Sequence, residues 1–224
     1  MASLPERSQG SEEWFQIRCG RVTASRVADI IAKTKSGYST SRANYAAQLV
    51  VERLTGVVEP SFQNAAMQWG TDKEPEARAA YRFHTDAVVE ETDFVLHPEI
   101  FMAGASPDGL VGDDGLVEIK CPISATHMDT LLREAIPDKY VVQMLWQMAC
   151  TGRQWCDFVS YDPRFPESMR LFVKRLDRDD ERIAELEAEV RAFITEIEES
   201  CAALNAKHGP TPPIDPKVVE LLRA

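Results

Sequence analysis

Residues 106–122, SPDGLVGDDGLVEIKCP, constrain the chain more than any other stretch. Short apolar runs stand on either side of Gly112-Asp113-Asp114-Gly115, a cluster of turn formers, so the segment is expected to double back as a hairpin. Residues two apart on a strand share a face, which points Glu118 and Lys120 one way and Val117 and Ile119 the other. Pairing around the turn brings Asp108, at the end of an otherwise apolar or small strand, beside Glu118. Two carboxylates that close repel, and one takes up a proton unless a cation neutralises them. From these residues alone two readings stay open. One is an exposed surface hairpin carrying an ordinary acid–lysine pair. The other is a Mg²⁺ site, since that ion takes one or two carboxylates, keeps several waters and meets phosphate oxygens. Lys120 would then help position or deprotonate a nucleophile, or stabilise charge building on a phosphate.

The flanks follow a helical period. A first helix is expected to open at Thr23 or Ser25 and to run through ASRVADIIAK, followed by a loop, TKSGYSTS. Tyr45, Leu49, Val50 and Leu54 form an apolar stripe on a second helix that Gly56 stops. Thr71-Asp72-Lys73-Glu74 fits a capping box, predicting a helix start near Thr71 with Pro75 tolerated in the first turn. Strands are expected within AVVEETDFVLHP, IFMAGASPDGLV and LVEIKCP, and later in WCDFVSYDP and MRLFVKRL. Between them lies a helix from Pro137 to the stop at Gly152. A long helix over about 177–206 carries Ile183, Leu186, Val190, Phe193, Ile194, Ile197, Cys201 and Leu204 in one stripe, before an extended tail over 209–217. This order of elements predicts a mixed α/β or α+β sandwich in one domain over 1–224.

Composition excludes several classes. Among 224 residues, 44% are hydrophobic and 27% charged, which is globular rather than disordered or fibrous. No run of 18 apolar residues and no apolar core near the N-terminus is present, so neither a membrane span nor secretion is expected. Five dispersed cysteines (19, 121, 150, 156, 201) and four scattered histidines lack disulfide or zinc spacing and read as reduced thiols in an intracellular setting. The net charge of −11 argues against nucleic acid until its distribution is considered. Residues 177–199 hold ten acids and three arginines, whereas 18–42 hold six basic residues and one acid. From charge alone, a solvated helix face near one end and a solvated loop near the other explain this equally well. Alternatively, Ser25 and the N–H groups of the helix expected there form a natural anion site, and Arg18 could clamp a phosphate bidentately.

Pro107-Asp108 with Glu118-Ile119-Lys120 resembles the PD-(D/E)xK nuclease signature, and the flanks resemble its lambda-exonuclease-like, YqaJ-type viral recombinase branch. The matching pieces, in family order, are Trp14-x3-Arg18 with Val22-Thr23-Ala24-Ser25, Trp69-Gly70-x3-Glu74, Ser106-Pro107-Asp108-Gly109, Glu118-Ile119-Lys120-Cys121-Pro122, Tyr140-x2-Gln143 and Tyr161-Asp162-Pro163-Arg164. The resemblance implies a restriction-endonuclease-like core, a central mixed β-sheet flanked by helices. It makes Asp108, Glu118 and the carbonyl of Ile119 metal ligands and Lys120 the catalytic lysine. Glu74 is implied beside a second Mg²⁺ through water, with Mn²⁺ as a substitute ion, and Gln143 is the glutamine of the last motif. Read without the family, Gln143 is a helix-face amide in a stripe with Lys139 and Gln147, and Tyr140 is packing. Arg18, Ser25 and Ser106 are implied to hold the 5′-terminal phosphate. Lys35 stands where the best-known member has an arginine, keeping the charge and losing the planar fork.

The resemblance further implies a 5′→3′ exonuclease acting on linear double-stranded DNA. It would release 5′-mononucleotides and leave a 3′ single strand for a single-strand annealing recombinase. A homotrimeric ring around DNA, in the cytoplasm of a bacterium or encoded by a phage, completes the expectation. The competing readings are a PD-(D/E)xK endonuclease and a non-catalytic DNA-end-binding protein.

Overall fold

The computed structural model describes residues 11–58 and 65–210. Along the chain lie α1 (Glu12–Arg18), β1 (Val22–Thr23), a 3₁₀ turn (Ala24–Arg26), α2 (Val27–Ile31), β2 (Lys33–Thr34), β3 (Gly37–Tyr38) and α3 (Thr40–Thr55). Then come α4 (Ala65–Thr85), β4 (Val89–Glu90), β5 (Val95–Leu96), β6 (Ala103–Ala105), β7 (Gly109–Val111) and β8 (Gly115–Lys120). The last third holds α5 (Ser124–Arg133), α6 (Asp138–Thr151), β9 (Trp155–Tyr161), a 3₁₀ turn (Glu167–Met169), β10 (Leu171–Asp177) and α7 (Asp180–His208). These elements gather into two compact units. One takes the described parts of Met1–Pro60, Asp93–Ser106 and Asp180–Ala224, the other those of Ser61–Thr92 and Pro107–Asp179.

The second unit is built on a five-stranded sheet in the order β10-β9-β8-β7-β4. The expected hairpin is there: β7 and β8 pair antiparallel, Gly109 opposite Val117 and Val111 opposite Gly115. A side chain at Gly109 would run into Val89 and Val117, so glycine lets β4, β7 and β8 close up beside Asp108. The turn is clamped by Arg153, whose Nη1 donates to the carbonyls of Gly112 and Gly115, each at 2.7 Å. β8 and β9 run parallel, joined through α5 and α6 as a parallel pair requires, and β10 returns antiparallel to β9. On one face Val117, Ile119, Val159 and Tyr161 pack against Ala77 and Tyr81 of α4. On the other, Phe158 stacks with Tyr140 of α6, ring centroids 5.4 Å apart. Both faces of the sheet are therefore covered, and Glu118 is 0% exposed. That rules out the exposed-hairpin reading.

The first unit carries a three-stranded sheet, β1-β6-β5, in which β1 and β6 are parallel. Its core is helical: Tyr45 of α3 stacks with Phe193 of α7 at 5.6 Å, among buried Ile30, Leu49, Val190 and Ile197. The segregated charge meets in part within this unit. Lys33 pairs with Glu189 at 3.1 Å and Arg42 with Glu196 at 2.6 Å, so the acidic helix takes up two of the six basic residues of that segment. The apolar stripe of α7 ends earlier than expected, since Cys201 is half-buried and Leu204 exposed.

Several boundaries differ from expectation. α1 precedes the expected first helix and is capped by Ser11, whose Oγ accepts from Trp14 N at 3.1 Å. The loop expected at TKSGYSTS begins instead as the β2–β3 hairpin, and α5 was not anticipated. α4 starts at Ala65 rather than near Thr71. Thr71 therefore bonds back to the Met67 carbonyl at 3.3 Å, as a mid-helix hydroxyl does, and Glu74 is interior to the helix rather than part of a cap. β10 runs through Asp177, so α7 begins at Asp180 and not at 177. The tail expected over 209–217 lies outside the described residues from 211 onward.

Candidate active site

Asp108 stands immediately before β7, and the register carries it across to β8, where its Oδ2 accepts the backbone N–H of Ile119 at 2.7 Å. Glu118 and Lys120 share the face of β8 turned toward α6. There Lys120 Nζ pairs with Glu118 Oε1. Gln143 Nε2 donates to the same oxygen at 2.6 Å, and Gln147 Nε2 donates to Oε2 at 2.5 Å. Below them the Tyr140 ring lies 5.4 Å from Lys120 Nζ, a cation–π contact. Asp108 is 8% exposed, while the Lys120 side chain keeps 27% of its surface open.

The electrostatics follow from this crowding. Burial, and then the charge of Glu118, push the Asp108 carboxyl well above the usual carboxylate range. Burial alone would pull Lys120 down, but Glu118 and Asp108 outweigh it and hold the ammonium above its ordinary value. The two acids thus favour the ammonium form of Lys120. The pair of acids is left short of positive charge, which suits a divalent cation. Among the described residues no group of three or more His, Cys, Asp and Glu side chains is spaced to hold a metal ion. The side chains that meet here offer two carboxylates, those of Asp108 and Glu118. An ion that keeps most of its own water fits this, as Mg²⁺ does, and one that needs a closed protein cage does not.

Glu74 lies close enough to add to the upward shift of Asp108, but its Oε1 is engaged by Arg78 Nη2 at 2.7 Å. The same helix places Trp69 beneath the Arg164 guanidinium at 4.3 Å. Asp162 fixes Arg164 through bonds of 2.7 and 2.8 Å.

In the other unit, Arg18 and Ser106 are brought together by Trp14. The Arg18 guanidinium lies 3.7 Å over the indole ring, and the indole N–H donates to Ser106 Oγ at 3.1 Å. Burial pushes Arg18 down to about 10, against the opposing pull of Tyr45 and Glu52. Ser25 is exposed within the 3₁₀ turn, and Thr23, not Ser25, occupies the cap position, so no helix start is built on it. Lys35 is exposed at the tip of the β2–β3 hairpin. Neither takes part in the Trp14 contacts.

Residues 13–154 match the YqaJ-like viral recombinase domain. The chain belongs to the YqaJ-like viral recombinase family. The matched span includes Trp14, Arg18, Asp108, Glu118, Lys120 and Gln143. Among solved structures, an alkaline exonuclease (LHK-Exo) from Laribacter hongkongensis is 53% identical with a TM-score of 0.83, covering 88% of this chain and 97% of its own. The same enzyme in complex with dAMP gives the same figures. A phage-related exonuclease from Haemophilus somnus 129PT, 17% identical over 82% of this chain and 96% of its own, shares the fold with a TM-score of 0.68. Comparison with curated proteins gives no match. The mixed sheet flanked by helices is the restriction-endonuclease-like fold expected from the family. Among the described residues no helix is long and apolar enough to cross a membrane.

Two further contributors stand at this site. Gln147, expected only in a helix-face stripe, is spaced four from Gln143 and so lies on the same side of α6. Tyr140 is expected to pack. It does pack, on Phe158, and it also faces Lys120.

Proposed function

We propose that this protein is a Mg²⁺-dependent 5′→3′ exonuclease that degrades one strand of linear double-stranded DNA to 5′-mononucleotides. The observation that carries the reading is the buried meeting of Asp108, Glu118 and Lys120, with Gln143 on the acid that Lys120 pairs with. Buried acids in contact with a lysine are costly unless they serve a purpose, and here they lie at the end of a hairpin beside the half-open Lys120 side chain. The relative crystallised with dAMP, a deoxynucleoside monophosphate, holds the kind of product such a reaction would release.

Asp108, Glu118 and the Ile119 carbonyl would hold Mg²⁺, with Glu74 reaching a second ion through water. The bound ion would supply Lewis acidity toward the phosphate. The chain's own residues supply the rest. Lys120, kept protonated, offers positive charge where negative charge grows on the phosphorus oxygens, and Tyr140 and Glu118 fix where that charge sits. Arg18, Ser106, Ser25 and Lys35 are assigned to the 5′-terminal phosphate, with Arg18 and Ser106 as the better supported pair because Trp14 holds both. The remaining single strand would pass to a single-strand annealing recombinase. A homotrimeric ring around DNA, working in the cytoplasm, would let a chain of net charge −11 stay on its substrate.

The test is linear duplex labelled at either end, incubated with and without Mg²⁺. Mononucleotide release from 5′ ends only with Mg²⁺ supports the proposal. Internal cuts, or binding without hydrolysis, would favour an endonuclease or an end-binding protein instead.

A further inference from the structure

We propose that Gln147 is a positioning residue for Glu118, fixing the plane of its carboxylate; this rests on the reading of Glu118 as a metal ligand. The last torsion of a glutamate side chain is broad and nearly two-fold, so a carboxylate gripped at one oxygen alone can still swing. Gln143 and Lys120 both address Oε1. Among the described residues the side-chain donor at Oε2 is Gln147, at 2.5 Å, and both Gln147 and Glu118 are 0% exposed. Tyr140, Gln143 and Gln147 are spaced three and four apart, so one face of α6 contacts Lys120 once and each oxygen of Glu118 once.

The amide itself is oriented. Its Oε1 faces the thiol of Cys156 on β9 at 3.9 Å, a weak donor. The opposite flip would set an amide oxygen against a carboxylate oxygen. Nε2 is thereby committed to Glu118. Hydrogen bonds to a ligating carboxylate from outside the metal's own ligand set orient it, and their loss typically costs about 10–100-fold in metal affinity or activity. A packing role is the competing explanation, and it predicts lost stability with an unchanged response to metal.

Full-length Gln147→Met, similar in volume but without the amide, separates the two. Ca²⁺ is titrated against the shift in Tm, and single-turnover cleavage is followed against Mg²⁺ concentration. We expect the Ca²⁺ midpoint and the half-saturating Mg²⁺ concentration each to rise by about tenfold or more, with KM for DNA unchanged. Gln147→Asn keeps a polar group but stops one methylene short of Glu118, so it should give the same result, and it replaces Gln147→Met if that variant does not fold. A variant that answers both metals like wild type, whether or not its Tm falls, overturns the proposal. Wild type that shows no response to either ion removes the metal reading of Asp108 and Glu118, and this proposal with it.

Discussion

Trp14 donates its indole N–H to the hydroxyl of Ser106, ninety-two residues further along the chain. The bond uses an acceptor site of the serine oxygen, which leaves the serine proton free to point at an anion. The same ring lies 3.7 Å beneath the Arg18 guanidinium, the group proposed to make a planar, bidentate contact with the phosphate. Trp14→Phe keeps a ring under Arg18 and loses one hydrogen bond, worth about 1 kcal/mol. Initial digestion rates on 5′-phosphorylated and 5′-hydroxyl duplex should show the preference for phosphate reduced roughly fivefold, with Trp14→Ala reducing it further. An unchanged ratio in both variants would separate Trp14 from the terminal phosphate.

Arg18 and Lys35 should differ in the same assay. Arg18 is half-buried over the Trp14 ring, whereas Lys35 is an exposed point charge on a hairpin tip. Arg18→Ala is expected to lower the 5′-phosphate preference by about tenfold or more, the loss of a charge-assisted bidentate contact, and Lys35→Ala by less than about threefold. Equal effects would remove the distinction drawn between them.

Lys120→Ala should lower the single-turnover rate far more than it weakens DNA binding, because charge on the phosphate grows chiefly in the transition state. A fall of about 10²–10³-fold is expected, the usual scale for removing one such donor. A variant that binds poorly yet cuts bound DNA at the normal rate would make Lys120 a substrate-binding residue.

What the sequence made legible at this site is what local geometry dictates. A period of two, a turn of Gly and Asp, and the distance to Asp108 are enough to predict that two carboxylates meet, and they do meet across the β7–β8 hairpin. Burial of the charged face was not legible, because it depends on α6 folding back over β8 from 25 and 29 residues away through Gln143 and Gln147. The pairing of two residues of the basic segment was hidden for the same reason, since Lys33 and Arg42 find their acids 156 and 154 residues later. Thr71 misled because a capping-box pattern is short, and α4 already runs through it from Ala65. Ser25 misled because the segment after it makes a 3₁₀ turn and only five residues of α-helix.

Arg153 ties the hairpin turn to the chain beyond α6 through two carbonyls at 2.7 Å. Hydrogen bonds from a charged donor are worth about 1.5–3 kcal/mol, so Arg153→Ala should lower the denaturant midpoint by roughly that much stability. Activity should fall as well, since the same turn sets the register of Asp108 and Glu118. Unchanged stability would mean that the turn holds its shape without the clamp.

The most direct test of the account is hydrolysis of linear duplex DNA by Asp108→Ala and Glu118→Ala, with Mg²⁺ as the only divalent ion. Each substitution removes a proposed ligand, so mononucleotide release should fall to background in variant protein that Tm shows to be folded. Release near the wild-type rate from either variant would contradict the assignment of this pair as the catalytic centre.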